Sequence, residues 1–194
     1  MTAAGITDAR PSEPQLREDQ LRLGLWMFLA TVTMLFAAFA SAYIVRRSGS
    51  DWQHVVLPSI LWVNTAILAA SSVALEFANA NGVRHRWRAA VIACAVAVTL
   101  GAAFLVGQFA GWRQMVANGL YLPTTPHSSF FFMLTGAHAA HVVAALAVLV
   151  WGLAKTRSGA GDPAAWSAQM ELCRTFWHYL GGVWVLLFAL VSWV

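Results

Sequence analysis

The chain has 194 residues, of which 59% are hydrophobic and 10% charged, with a single lysine beside eleven arginines. A soluble domain carries charge on roughly a quarter of its residues, so this composition belongs in a membrane and excludes a secreted domain, a nucleic-acid reader and a dinucleotide-binding enzyme. The net charge of +4 and the pI near 9.7 are then orientation signals and not signs of an anionic partner.

Residues 1–20 hold Pro11, Pro14 and charges of both signs, the composition of a polar, solvated tail. They do not read as a cleavable signal peptide, because the apolar run after Arg22 outlasts the roughly 7–15 residues of a signal core. From Leu23 to Val45 there is no Asp, Glu, Lys or Arg, which predicts a first spanning helix over 21–45; a span needs about 20 apolar residues. The charge-free stretches Trp52 to Leu75 and Ala89 to Trp112 predict a second over 55–77 and a third over 87–112. Pro123 and Pro126 in YLPTTPHSS then interrupt any helix running on from Met115, and Ser128 or Ser129 offers a cap for a fourth over 127–154. The last charge-free run, Thr175 to Val194, predicts a fifth over 171–193. Short connections make neighbours antiparallel, so residues 21–194 are expected to form one all-α bundle of five transmembrane helices, with no second domain and no repeat.

Orientation follows from the cations. Nine lie on one side (Arg10, Arg17, Arg22, Arg84, Arg86, Arg88, Lys155, Arg157 and Arg174) against Arg46, Arg47 and Arg113 on the other. The positive-inside rule places the N terminus in the cytoplasm. Five spans then put the C terminus in the periplasm of a bacterial inner membrane.

Polar groups inside a membrane are costly and mark function by default. Here they are Asn64, Thr65, Ser71, Ser72, Gln108, His138, His141 and His178. No predicted span carries a carboxylate or a cation at its middle, which argues against autonomous proton pumping. His138 and His141 stand at i and i+3 on one helix face, where His178 could meet them. A haem or metal site is one reading, and hydrogen bonds between helices or to a lipid headgroup the other. Two histidines on one helix cannot both be axial ligands of one haem, and no Cys or carboxylate completes a redox metal set, so the second is favoured and no bound cofactor is expected. Cys94 and Cys173 read as plain core residues.

Small residues recur at helix-packing spacing: Ala93, Ala97 and Gly101, then Gly107 and Gly111, then Gly136, Ala140 and Ala144. The adjacent Gly181 and Gly182 predict a close neighbour on the fifth helix. Trp26, Trp52, Trp87, Trp112, Trp151 and Trp193 fall near predicted interfaces as an aromatic belt. Glu171 and Arg174 are expected to pair with each other or with a loop, and Arg84, Arg86 and Arg88 to face anionic headgroups.

The order of the unusual residues resembles subunit III of the haem-copper respiratory oxidases. The first span, GLWMFLATVTMLFAAFASAYI, is similar to the family helix that follows two optional ones. The second, LPSILWVNTAILAASS, is similar to the family's proline followed by Asn-Thr-x-x-Leu-x-x-Ser-Ser. LGAAFLVGQFAGW stands in the third, and SSFFFMLTGAHAAHV in the fourth matches Phe-Phe-x-x-Thr-Gly-x-His-x-x-His-Val. FWHYLGGVWVLLF in the fifth is close to Trp-His-Phe-x-Asp-x-x-Trp. The likeness covers Leu23 to Val194 and corresponds to the short, five-helix form.

What the resemblance implies is an accessory, non-catalytic subunit that lies against subunit I, binds phospholipid and sustains proton-coupled electron transfer to oxygen, with haem and copper held by partner subunits. By carry-over, His138, His141, Trp177 and His178 shape subunit packing and lipid sites, and Asn64, Thr65 and Gln108 bond between helices. The Asn-Thr and Gln108 positions look more like the cytochrome c oxidase branch than the quinol oxidase branch. Three family acids are replaced, by Val32, Gly111 and Gly181, so a mechanism using them cannot operate here. That departure leaves open a subunit-III-like protein associated with nitric oxide reductase. A stand-alone haem-b protein using His138 or His141 with His178 is the rival from another class; a transporter is disfavoured by the missing intramembrane charge and inverted repeat.

Overall fold

A backbone in hydrocarbon must satisfy its N–H and C=O groups within its own segment, which makes each apolar run a helix. The computed structural model describes residues 13–50, 52, 57–122, 125–157 and 163–193. These form α1 (Glu13–Arg47), α2 (Ile60–Val83), α3 (Trp87–Ala117), α4 (Pro126–Arg157) and α5 (Pro163–Trp193), with no strand among the described residues. All five are long and apolar enough to cross a membrane.

The helices outrun the apolar patterns except at the start of α2, which begins at Ile60 and not at 55; residues 57–59 are outside it, and 55–56 lie outside the described residues. Glu13 to Gln20, assigned to the tail by composition, continue α1, and α5 begins at Pro163, eight residues before the expected start. Glu, Gln, Arg and Ala are good helix formers, and a count of apolar residues cannot see a helix that continues beyond the hydrocarbon. Pro163 suits a first helical position, where its missing N–H costs nothing.

The start of α4 also differs in its cap. Thr125, not Ser128 or Ser129, caps the helix: its Oγ1 accepts from the Ser128 amide at 3.1 Å, and Ser128 Oγ accepts from the Thr125 amide at 3.1 Å. This reciprocal pair satisfies two donors at once, with Pro126 at the first helical position. Between α2 and α3 the chain reverses within three residues. His85 adopts φ 55°, and the amides of His85 and Arg86 return to the carbonyls of Gly82 and Asn81 at 2.9 Å each.

Contacts define the arrangement. α2 touches α3 and α5, and α4 touches the same two, so these four helices close a ring; α1 lies outside it on the α4–α5 seam. The ring's interior holds Leu68, Phe104, Leu134, His138, Trp177 and Trp184, all buried. The small residues of α3 are the seats for large ones opposite. A Cβ on Gly101 would stand 2.6 Å from the Trp177 ring and 2.8 Å from Leu146, and one on Gly107 would run into the Asn64 amide. Glycine there lets helices approach closely enough for these side chains to interlock.

The other small-residue positions behave differently. A Cβ on Gly136 or Gly182 would meet nothing within 4 Å, and one on Gly181 only Ser72 Oγ at 3.9 Å. Among the described residues, the close neighbour expected on the fifth helix is therefore missing at Gly182, and at Gly181 it is only the Ser72 hydroxyl. The Gly136, Ala140, Ala144 ridge likewise turns outward, with both alanines exposed.

Gly101→Ala is expected to destabilise the bundle by about 1–3 kcal/mol, the usual cost of overpacking against a fixed ring, whereas Gly136→Ala should be silent. Unfolding of the detergent-solubilised chain, followed by circular dichroism, checks the pair.

Candidate functional site

Two features build the interior polar site: side chains that reach a neighbour's backbone carbonyl, and hydroxyls that relay. Asn64 Nδ2 on α2 donates to the Phe104 carbonyl on α3 at 3.0 Å, and Ser71 Oγ donates to the Ala97 carbonyl at 2.9 Å. His138 Nε2 on α4 donates to the Leu180 carbonyl on α5 at 3.1 Å. A helical carbonyl has a second lone pair to offer, so these bonds leave the helices intact.

The relay occurs twice. Trp184 Nε1 donates to Thr65 Oγ1 at 3.0 Å while that hydroxyl donates to its own Leu61 carbonyl at 2.9 Å. Trp112 Nε1 donates to Thr135 Oγ1 at 3.0 Å, and Thr135 Oγ1 donates to Phe131 O at 2.6 Å. A threonine that gives its proton to the preceding turn keeps only acceptor capacity, which suits an indole N–H.

His138 sits at the centre of an aromatic cage, with ring centroids 5.8 Å from Phe104 and 5.2 Å from Trp184, itself 5.0 Å from Phe104 and edge-on to it. His141 bonds its own helix through Nδ1, which donates to the Ala137 carbonyl at 2.7 Å, and faces α1, 5.6 Å from Phe36. His178 Nε2 donates to Glu76 Oε1 at 2.5 Å on the α2–α5 seam. The three histidines thus serve different partners and do not converge, and no three His, Cys, Asp or Glu side chains gather into a metal-ligand group among the described residues. Cys94 and Cys173 are free thiols.

Other expectations need correction. Gln108 is buried, but neither atom of its amide makes a hydrogen bond among the described residues, so it does not tie helices as Asn64 and Thr65 do. Trp177 is equally buried and acts through its ring, packed over Gly101. Glu171 and Arg174 do not pair with each other. Glu171 accepts from Arg22 of α1 at 2.9 Å, and Arg174 reaches Glu76 of α2 at 3.1 Å, because i,i+3 neighbours on α5 diverge toward different helices. The tryptophan belt is real at Trp26 and Trp151, which are exposed. Trp52, Trp87 and Trp112 turn inward, Trp52 lying edge-on to Tyr43 at 5.1 Å. The Trp193 side chain lies outside the described residues.

Glu76 is the residue that the sequence pattern missed. A helix ending at residue 77 makes it a boundary group, whereas α2 runs to Val83 and places it seven residues inside. The signal was the arginine at position 174, a cation just before a long charge-free run. α1 is held to α5 by the Arg22–Glu171 pair, by Thr33 and Tyr179 hydroxyls 2.8 Å apart, and by Phe28 against Phe176 at 5.5 Å. Arg84, Arg86 and Arg88 are exposed around the α2–α3 turn. Near the opposite end, a groove of about 750 Å³ beside α1 is lined by Ala38, Ala42, Val45 and Phe130 with Arg46 and Ser48. Among the interior polar groups, Asn64, Thr65, Ser71, Thr135 and His138 make bonds between helices, whereas Gln108 makes none.

Comparison with known proteins agrees with that geometry. A family model described as cytochrome c oxidase subunit III matches residues 13–194. Cytochrome c oxidase subunit 3 of Corynebacterium diphtheriae is 31% identical, covering 92% of this chain and 90% of its own length. The protein of that name in Alkalihalophilus pseudofirmus is 27% identical over 97% and 96%. Subunit 3 of the cytochrome bo(3) ubiquinol oxidase of Pseudomonas aeruginosa is 30% identical over 87% and 82%.

Thr65→Val is expected to strand the Trp184 N–H and cost about 0.6–2 kcal/mol, the range for interhelical hydrogen bonds in membranes. Unfolding in mixed micelles measures the loss, and the indole N–H band in ultraviolet resonance Raman reports the broken bond.

Proposed function

The chain belongs to the cytochrome c oxidase subunit III family, and from this membership we propose how its bundle serves the complex. It is an accessory subunit III of a terminal oxidase, one component of a multi-subunit assembly. Its principal partner is subunit I, which with the other subunits holds the haem and copper and performs the electron transfer to oxygen. This chain binds neither and supplies no catalytic group. It supports assembly and sustained proton-coupled turnover by presenting rigid helix faces and lipid sites beside the catalytic subunit.

The observation that carries this reading is that the five motif-bearing spans fold into one ring plus an outer helix. The interior polar groups Asn64, Thr65 and His138 each join two helices. What remains outward is a set of docking features. Gly136 heads a ridge of small residues facing away from the bundle, open to lipid or to another subunit. The groove along Ala38, Ala42, Val45 and Phe130 suits an acyl chain, with Arg46 near the headgroup end. Arg84, Arg86 and Arg88 suit anionic headgroups. With nine of twelve cations on the N-terminal side, the N terminus lies in the cytoplasm and the C terminus in the periplasm of a bacterial inner membrane.

A gentle-detergent pull-down of the tagged chain from its native membrane, with an optical spectrum and a census of partners, tests the reading. A large haem-bearing polypeptide with oxygen reductase activity is expected. Nitric oxide reduction in its place would select the specialised branch, and a solitary chain carrying haem would make the histidines ligands and overturn the assignment.

A further inference from the structure

We infer that the seam between α2 and α5 is a docking face for a transmembrane helix of another subunit of the oxidase, latched at Glu76, Arg174 and His178. The inference rests on the chain being an oxidase subunit and specifies which of its faces a neighbour occupies.

Depth is the first argument. Arg22 stands where the charge-free run of α1 begins, and its partner Glu171 marks the same level on α5. His178 lies seven residues further along α5, about 10 Å deeper at 1.5 Å per residue, and Glu76 is bonded to it. The cluster therefore sits within the hydrocarbon. Ionisable side chains at such depth face a bundle interior or a protein neighbour, yet these three keep 46%, 33% and 41% of their side-chain surface exposed for Glu76, Arg174 and His178. They have each other, and they are not covered.

Unused bonding capacity is the second argument. A carboxylate offers about four acceptor sites, of which Arg174 and His178 take two. Acyl chains supply no donor for the remaining sites. A neighbouring helix supplies one through a hydroxyl or an amide.

The surroundings admit a helix. Beyond the cluster Ser72 Oγ lies 3.9 Å from where a Gly181 Cβ would stand, Gly182 has open space at that position, and Val185 is exposed one turn further on. Such a strip lets a neighbouring backbone come close. Further on, the seam closes with Trp62 edge-on to Phe188 at 4.7 Å. The chain itself shows how this bundle receives an outer helix: on the α4–α5 seam, α1 is held by an ion pair at entry and a hydroxyl contact deeper in. The α2–α5 seam carries matching equipment and no occupant among the described residues. The helix that fits it has small residues opposite Gly181 and Gly182 and a Ser, Thr, Asn or Gln at the level of Glu76.

The test uses the whole complex in its native membrane. A photoreactive p-benzoylphenylalanine is placed at Val185, exposed on α5 one turn beyond Gly181 and Gly182, and in parallel at Val106, exposed on α3. Irradiation is expected to join the Val185 probe to another oxidase subunit, identified by mass spectrometry, while the Val106 probe yields lipid adducts. Lipid adducts alone at Val185 overturn the proposal. Glu76→Leu should lower the oxidase polypeptides recovered per tagged chain about tenfold, with Glu76→Gln, which keeps an acceptor, retaining most of them; equal recovery from all three chains also overturns it. The crosslink remains decisive if Glu76→Leu fails to fold. Where the unsubstituted chain brings down no haem-bearing polypeptide, the oxidase reading itself fails; where it does and the Val185 probe captures only lipid, the seam alone is wrong.

Discussion

In hydrocarbon no solvent completes a hydrogen bond, so a side-chain donor that joins two helices must find its acceptor on the neighbour without disturbing that neighbour's own hydrogen bonds. This bundle meets the constraint by using the spare lone pair of helical carbonyls. Asn64, Ser71 and His138 each end on a backbone oxygen of the adjacent helix. The two Trp–Thr relays obey the same rule one step removed, since each threonine hydroxyl has already given its proton to the preceding turn. The closed ring of α2, α3, α4 and α5 follows from where these acceptors lie.

Close approach is the condition for those bonds. Asn64 can reach Phe104 O because the neighbouring position on α3 is Gly107, and the Trp177 indole fits against α3 because Gly101 stands beneath it. Helices in lipid gain little from the hydrophobic effect and depend on contact of this kind. Glycine on α3 and aromatic rings on α5 are two halves of one device. The same residue type does the opposite on the outer surface, where a Cβ at Gly136 or Gly182 would meet no atom of the described residues within 4 Å.

Charge is distributed along the same division. Interior positions carry neutral polar groups only, and the ion pairs lie at the margins of the ring, joining α1 to α5 through Arg22 and Glu171, and α2 to α5 through Glu76, Arg174 and His178. α5 is thus the helix through which the outer elements are organised. These pairs fix how α1 and α2 sit against α5.

The five spans, the all-helical class and the family likeness were legible in the sequence, because charge-free runs of sufficient length have one solution in a membrane and because the Asn-Thr, Thr-Gly-x-His and Trp-His motifs fall on successive spans in order. The sequence also marked Asn64, Thr65 and His138 as polar groups needing a reason. It could not say which histidines meet, since periodicity gives a face and not the neighbour across it: His138 found Leu180, His141 stayed on its own helix and His178 found Glu76. Helix lengths were underestimated because apolar counting stops at the edge of the hydrocarbon, and that error hid Glu76. Local composition determined that the chain crosses the membrane and how often; only tertiary packing decided which polar groups face inward, which glycines are seats and which are open surface, because those outcomes depend on atoms more than 20 residues apart along the chain.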